Sequence, residues 1–299
     1  MTVVVTGASG QLGRLVAAQL LGRLPVQEVI LASRTPGELS EFAERGVEVR
    51  YGDFDAAGSL AEAFDGADRL LLISTMAVGR RVEQHRAALV AAARVGIERI
   101  VYTSLTNPVA GHPAGMVVEE HRETEELVRA APASWTVLRN AAYAELQVPL
   151  AAVAVTYGRL VTNGGDGRVA PISRGDCAEA AVAVLTSDGH EGQTYEITGP
   201  EALTQADIAR LASEVSGRPV KVMQSGDRKL SWGLSRLGTP KPVARAIVDL
   251  GIATREGYFD VVDDAFERLT GRRPRTLRDV FISHRGELAG TDGSAVAYG

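Results

Sequence analysis

The stretch Thr6-Gly7-Ala8-Ser9-Gly10-Gln11-Leu12-Gly13 lies between the apolar run Val3-Val4-Val5 and an amphipathic run that opens at Gln11. Glycines at such a junction permit a tight turn and let backbone approach a pyrophosphate. The first N–H groups of the following helix then face the anion, with the helix dipole behind them. The spacing is GxxGxxG, not GxGxxG, and glycine by itself is common in turns. With a strand before and a helix after, these residues are expected to be a dinucleotide site rather than a structural turn.

Outward from this turn, strand-like runs alternate with helical ones through the first 140 residues. The expected strands are Val3–Thr6, Val29–Ala32, Val47–Tyr51, Leu70–Thr75, Ile100–Ser104 and Thr136–Leu138. The expected helices are Gln11–Leu21, Pro36–Arg45, Ser59–Phe64, Arg81–Val95 and Glu119–Ala130. This alternation predicts an α/β fold, a Rossmann-type doubly wound parallel sheet that binds its ligand at the carboxyl ends of the strands. The second strand ends in Ala32-Ser33-Arg34-Thr35. The acid that bonds the ribose 2′-hydroxyl in an NAD site is missing, and Arg34 offers a fork of donors to a 2′-phosphate. NADP is therefore expected over NAD, although Arg34 also reads as a solvated arginine at a strand end.

Beyond residue 140 the pattern is less regular. Gly164-Gly165-Asp166-Gly167 is a turn cluster. Asp176 is expected to cap a helix through Thr186, followed by a strand over Thr194–Thr198. Thr204 precedes a helix over Gln205–Ser216, with Asp207 in its first turn and Gly217 past its end. Pro219–Gln224 reads as another strand. The expected organisation is a dinucleotide-binding domain over 1–140, a smaller α/β lobe over 141–285 packed on it, and a frayed Gly-rich tail over 286–299.

Composition narrows the classes. The chain is 45% hydrophobic and 23% charged, the balance of a globular protein. No apolar run reaches the roughly 18 residues of a membrane span, and no secretory signal is expected where the chain opens on a strand without a charged region or cleavage site. The single cysteine, Cys177, excludes an internal disulfide framework, permits a reducing cytoplasm as the expected location, and reads as buried packing in an Ala-rich helix. Lys and Arg number 32 against 37 Asp and Glu, for a net charge of −5. Arg80-Arg81 and Arg272-Arg273 are pairs rather than a basic face, so no nucleic-acid partner is expected. The 5 histidines are scattered, and no metal is expected.

Several short motifs then occur in an informative order: the Gly7–Gly13 turn, Arg34, Gly52-Asp53-Phe54, Leu71-Leu72-Ile73-Ser74, Tyr102-Thr103-Ser104, Leu138-Arg139-Asn140 and Gly189-His190-Glu191-Gly192. Together they resemble the NmrA-like atypical short-chain dehydrogenase/reductases over about residues 1–285, with type-2 NAD(P)H:quinone oxidoreductases nearest and triphenylmethane-dye reductases next. The resemblance implies that Thr6, Gly7, Ala8, Ser9, Gly10, Gln11, Leu12 and Gly13 hold the pyrophosphate and Arg34 the 2′-phosphate. It implies that Asp53 and Phe54 border the adenine, and that Ser74, Thr75 and Met76 line the ribose and nicotinamide path. Tyr102, Thr103 and Ser104 would close the fifth strand under the nicotinamide, with Asn140 and Tyr143 flanking it and the acceptor. Ser231–Leu250, with Trp232, reads equally as a lid on an apolar acceptor pocket and as ordinary core.

One departure matters. Short-chain reductases with a catalytic tyrosine carry it four residues before a lysine; those positions fall at Val117 and His121, and no YxxxK occurs in the chain. His121 shares an inward helical face with Val117, Thr124 and Val128. It reads either as a core histidine or as a group set against the nicotinamide ribose or the substrate, and the resemblance favours the second, making His121, Asn140 and Tyr143 the candidate catalytic set. His85 reads as a half-buried structural residue. The resemblance implies NADPH-dependent hydride transfer to a small planar acceptor such as a quinone, in a monomer or homodimer. The competing reading is a non-catalytic dinucleotide sensor, which the missing tyrosine suits as well.

Overall fold

The computed structural model describes residues 1–289. The first half supplies strands β1 (Val3–Val5), β2 (Val29–Ser33), β3 (Glu48–Tyr51), β4 (Arg69–Leu72), β5 (Arg99–Leu105) and β6 (Ser134–Asn140). The second supplies β7 (Arg159–Thr162), β8 (Arg168–Val169), β9 (Gln193–Ile197), β10 (Leu203–Thr204) and β11 (Lys221–Gln224). One sheet carries seven of these in the order β3-β2-β1-β4-β5-β6-β9, every neighbouring pair parallel. The helices of the first half are α1 (Gln11–Leu20), α2 (Ser40–Ala43), α3 (Gly58–Phe64), α4 (Arg81–Val95) and α5 (Met116–Arg129). Then follow α6 (Gln147–Tyr157), α7 (Arg174–Thr186), α8 (Gln205–Ser216), α9 (Asp227–Arg236), α10 (Lys241–Arg255), α11 (Ala265–Thr270), α12 (Leu277–Ser283) and α13 (Arg285–Leu288). Among the described residues no helix is long and apolar enough to cross a membrane.

The period-two alternation of strands divides the sheet's side chains between two cores. Val3, Val5, Leu71, Val101 and Leu138 pack with α1 and α7 on one face. Val4, Leu70, Leu72, Ile100, Tyr102 and Val137 pack with α3 and α4 on the other, where Val128 of α5 joins them. Both faces are covered, which is why the central strands read as unbroken apolar runs. From β1 the chain winds outward through β2 and β3, then returns to β4 on the other edge of β1. The loops after β1 and β4 therefore diverge, opening a crevice at the carboxyl ends.

The chain does not divide at residue 140 as expected. Helix α7 returns to α1, where Gln19 Nε2 donates to the Gly175 carbonyl at 3.1 Å, and β9 pairs with β6 as the seventh strand. The small side chains of Ala178, Ala180 and Ala181 let α7 lie close against the sheet core. Strand periodicity alone cannot show which sheet a distant strand joins. A third core, with Val148 and Val155 of α6, Ile208 and Leu211 of α8, Phe281 of α12 and Leu288 of α13, forms the smaller unit.

Other expectations are corrected locally. Ser173, not Asp176, caps α7: its Oγ accepts the Asp176 N–H at 3.0 Å. Asp176 is itself buried and accepts from Arg272 Nη2 at 2.5 Å and the Arg275 N–H at 2.8 Å. Ser231–Leu250 forms parts of two regular helices, and Trp232 is 63% exposed rather than core, with the Arg236 guanidinium over its ring. Of the tail expected over 286–299, the first residues belong to α13 and Leu288 is buried; residues 290–299 lie outside the described residues.

Glycine at position 13 is required by packing. A Cβ there would sit 2.3 Å from the Gly7 carbonyl oxygen and 2.7 Å from Ala8 Cα, so α1 could not lie so close to the end of β1. Gly13→Ala is expected to destabilise the fold by about 1–3 kcal/mol, the usual cost of overpacking. Gly37→Ala, where an added Cβ meets nothing within 4 Å, is expected to leave stability nearly unchanged. Urea melts of the two variants check both expectations.

Candidate functional site

The turn after β1 is an open backbone turn that leaves N–H groups without protein partners. Gly7 takes φ +58°, a left-handed conformation that glycine adopts without strain. Gly10 is the N-cap of α1, so no side chain caps the helix, and its first turn holds no acidic residue. The opening N–H groups of α1 are thus left for a ligand. Within the motif the residues divide. Ala8, Leu12 and Gly13 are buried in the packing of α1, while Gly7, Gly10 and Gln11 face outward and Ser9 lies half-buried. Thr6 is a strut: its Oγ1 donates to the Leu71 carbonyl at 2.9 Å and accepts the Ile73 N–H at 3.0 Å, fastening the ends of β1 and β4 together.

At the end of β2, Ser33 Oγ donates to Ser9 Oγ at 2.9 Å and accepts the Thr35 N–H at 3.0 Å, so hydroxyls stand where an NAD site has its acid. Arg34 is exposed and makes no hydrogen bond or ion pair among the described residues. Arg14, which sequence reasoning passed over, donates from Nε to the Ser9 carbonyl at 3.0 Å and pairs with Glu41. Past β3, Asp53 Oδ1 accepts the Asp55 N–H at 3.0 Å, and Phe54 meets the His85 ring edge-on with centroids 6.1 Å apart.

The loop after β4 is pinned at both ends. The Ser74 N–H donates to Thr103 Oγ1 at 3.0 Å, and the Thr75 N–H to His85 Nε2 at 3.2 Å. Thr75 Oγ1 donates to Gln84 Oε1 at 2.7 Å, and Arg81 Nε to the Thr75 carbonyl at 2.8 Å. Glu120 of α5 accepts the Gly79 N–H at 2.7 Å and pairs with Arg81 at 3.2 Å, both partners buried. Between these anchors Met76 stands 91% exposed. His85 is fully buried rather than half-buried; its Nδ1 lies 3.1 Å from Thr124 Oγ1.

Strand parity corrects the placement of the β5 residues. Tyr102 and Ser104 point to the α5 side of the sheet, not towards a cofactor above its edge. The Tyr102 ring is fully buried and its hydroxyl lies 2.8 Å from His121 Nδ1. Ser104 Oγ donates to Glu125 Oε1 at 2.7 Å. Glu125 in turn binds Arg139, which reaches Glu196 of β9 at 3.1 Å. Thr103 alone of the three reaches the neighbouring loop.

His121, Asn140 and Tyr143 all lie at or beside the carboxyl edge. Asn140 ends β6 and is 3% exposed; its Oδ1 has no partner among the described residues, as is true of His112 Nε2 in the loop after β5. Tyr143 sits under the Arg174 guanidinium, 4.8 Å from its ring centre, and Arg174 is held by Glu145. Burial, with the Cys177 thiol beside it, pushes the Tyr143 phenol well above its ordinary value, against the opposing effect of Asn140 and Arg174. Burial pushes the His121 imidazole down to about 3, and Arg81 adds to the effect. His85 falls to about 3 for the same reason, with His121 and Arg81 contributing. The site therefore holds neutral donors: a protonated phenol and uncharged imidazoles.

This edge can be compared with known proteins. The pattern of an NAD(P)H-binding family matches residues 7–188. Quinone oxidoreductase 2 of Escherichia coli is 33% identical over 283 residues, covering 94% of this chain and 98% of that protein. The crystal structure of E. coli NADPH-dependent quinone oxidoreductase QOR2 complexed with NADPH superposes with a TM-score of 0.90 at 32% identity, covering 95% of this chain and 99% of that one. Triphenylmethane reductase from Citrobacter sp., complexed with NADP(H), gives a TM-score of 0.88 at 32% identity, covering 95% and 100%. The glycine turn, the divergent strand ends and these similarities along nearly the whole chain agree: the protein belongs to the NAD(P)H-binding, NmrA-like oxidoreductases.

Proposed function

We propose that the protein uses NADPH to reduce quinones or similar planar conjugated acceptors by direct hydride transfer, without a tyrosine–lysine pair. Three features of the chain suit the dinucleotide: the uncapped N-terminus of α1, the unpartnered Arg34, and the unpartnered buried Oδ1 of Asn140. On this reading Gly7, Ser9, Gly10 and Gln11 meet the pyrophosphate directly, while Thr6, Ala8, Leu12 and Gly13 shape the turn. Arg34 meets the 2′-phosphate, Asp53 and Phe54 border the adenine, and Ser74, Thr75 and Met76 line the path onward, with Thr103 holding Ser74. When bound, the nicotinamide supplies the hydride.

The observation that carries the choice of acceptor is the absence, among the described residues at this edge, of an ionisable acid poised near neutrality. Tyr102 is turned away, Tyr143 holds its proton, and His121 is neutral. Hydride transfer to a simple ketone leaves an alkoxide, whose conjugate acid by comparison with water has a pKa of roughly 16. Transfer to a quinone leaves a phenolate-like anion of pKa about 10. The difference, about 8 kcal/mol, is charge that no general acid need neutralise. The residues then have to orient the acceptor and exclude water. Asn140 and the neutral donors of Tyr143 and His121 can hydrogen-bond oxygen atoms at this edge, and stacking at near-attack distance supplies the remaining advantage.

Four outcomes are expected. NADPH should be oxidised with benzoquinone- or naphthoquinone-type acceptors and scarcely with aliphatic ketones, followed at the reduced-nicotinamide absorbance band. Strong ketone reduction would refute the mechanism, and no turnover with any acceptor would establish the sensor reading. Because His121 stays neutral and Tyr143 stays protonated, kcat should be flat between about pH 5.5 and 8; a break near the ordinary histidine value of about 6.5 would show a titrating acid at work. Arg34→Glu should weaken NADPH at least roughly tenfold and spare NADH, as loss of a charged hydrogen bond requires. Gly10→Val should retain the far-UV circular dichroism of the parent, since Gly10 has an ordinary φ of −74°, yet lose dinucleotide binding.

A further inference from the structure

Behind the carboxyl edge, two histidines on different helices each meet a hydroxyl group in a buried cluster. His85 Nε2 accepts the Thr75 N–H at 3.2 Å, so the His85 proton resides on Nδ1, from which it is donated to Thr124 Oγ1 at 3.1 Å. The Thr124 hydroxyl spends its own proton on the Glu120 carbonyl at 2.8 Å. The Tyr102 ring lies edge-on to His85, with centroids 5.5 Å apart, and its hydroxyl meets His121 Nδ1 at 2.8 Å. A buried phenol proton needs an acceptor. Among the described residues the hydrogen-bond partner of the Tyr102 hydroxyl is His121 Nδ1, which makes that nitrogen the acceptor and puts the His121 proton on Nε2.

His121 Nε2 has no protein partner among the described residues. It is nevertheless not one of the buried unpartnered atoms, which are His112 Nε2 and Asn140 Oδ1 alone. The Nε2–H therefore reaches accessible space although the residue is only 7% exposed. The turn of α5 that carries His121 packs on the loop after β4. Glu120, the residue before His121, binds the Gly79 N–H at 2.7 Å, and the Val117 carbonyl accepts from Arg81 Nη1 at 3.1 Å. The same loop carries Ser74 and Thr75.

We infer that Tyr102 is a positioning residue: its hydroxyl locks His121 as the Nε2–H tautomer and so presents a neutral N–H donor to an oxygen atom of the bound dinucleotide. The inference rests on the dinucleotide site of the proposed function but not on the acceptor. An unanchored imidazole populates both tautomers and can rotate, so fewer molecules present the donor. The lock works without charge, in keeping with an imidazole that stays neutral down to about pH 3.

The test uses the full chain, NADP⁺ as the probe, and no acceptor. In the parent, ¹⁵N-histidine correlation spectra, with His121 assigned from the His121→Gln spectrum, should show the proton on Nε2. A proton on Nδ1 would overturn the inference before any variant at Tyr102 is made. Tyr102→Phe should shift His121 to a tautomer mixture and weaken NADP⁺ by roughly three- to tenfold, the range for one neutral hydrogen bond. In His121→Gln the amide nitrogen stands in for Nε2 and has no tautomer to lock, so adding Tyr102→Phe to it should change NADP⁺ affinity little. A purely structural tyrosine would instead lower affinity equally in both backgrounds, and that additivity would overturn the inference. So would parental NADP⁺ affinity in Tyr102→Phe. Failure to reduce quinones would count against the proposed function alone, because none of these measurements uses turnover.

Discussion

The closeness of α1 to the end of β1 governs the rest of the molecule. Gly13 approaches the Gly7 carbonyl so nearly that a single methyl group would collide with backbone. That approach lays α1 flat on the sheet and aims its uncapped N-terminus into the crevice between the loops after β1 and β4. It also leaves the face of α1 free for α7, which brings Gln19 to the Gly175 carbonyl. The open turn after β1 and the return of the second half to the sheet thus share one steric cause.

A second constraint acts on the opposite face. Helix α5 is polar along much of its length, yet Glu120, His121, Thr124 and Glu125 are buried. Each is matched: Glu120 to Arg81 and Gly79, Thr124 to His85, His121 to Tyr102, Glu125 to Ser104 and Arg139. Unpaired, any of these would cost several kcal/mol; paired, they define the register of α5 against β5 and against the loop after β4. The polar face that a purely apolar core would not need is what couples a helix behind the sheet to the ligand edge in front of it.

Much of the site was legible without coordinates because its signals are local. The glycine turn, the missing acid after β2 and the polar residues at strand ends are read from neighbours a few positions apart. The misplacements share a different origin. Tyr102 and Ser104 lie beside Thr103 in sequence, but alternate residues of a strand face opposite sides, and which parity faces the edge depends on the packing of α5. Arg14, Arg81 and Glu120 were passed over because each gains its place from a partner on another element. Asp176 looked like a cap by its position, yet its partners, Arg272 and Arg275, are nearly a hundred residues away.

The sequence by itself determined the alternation of strand and helix, the parallel sheet, the glycine turn and the lack of a tyrosine–lysine pair, since each follows from residue type and short-range spacing. Tertiary structure alone decided that residues 174–197 complete the first sheet, that burial pushes the His85 and His121 imidazoles towards the neutral form, and that the Tyr102 hydroxyl meets a histidine behind the sheet. These depend on burial and on contacts between distant segments. A side chain's solvation and its hydrogen-bond partners are properties of the packed chain, and no local pattern encodes them.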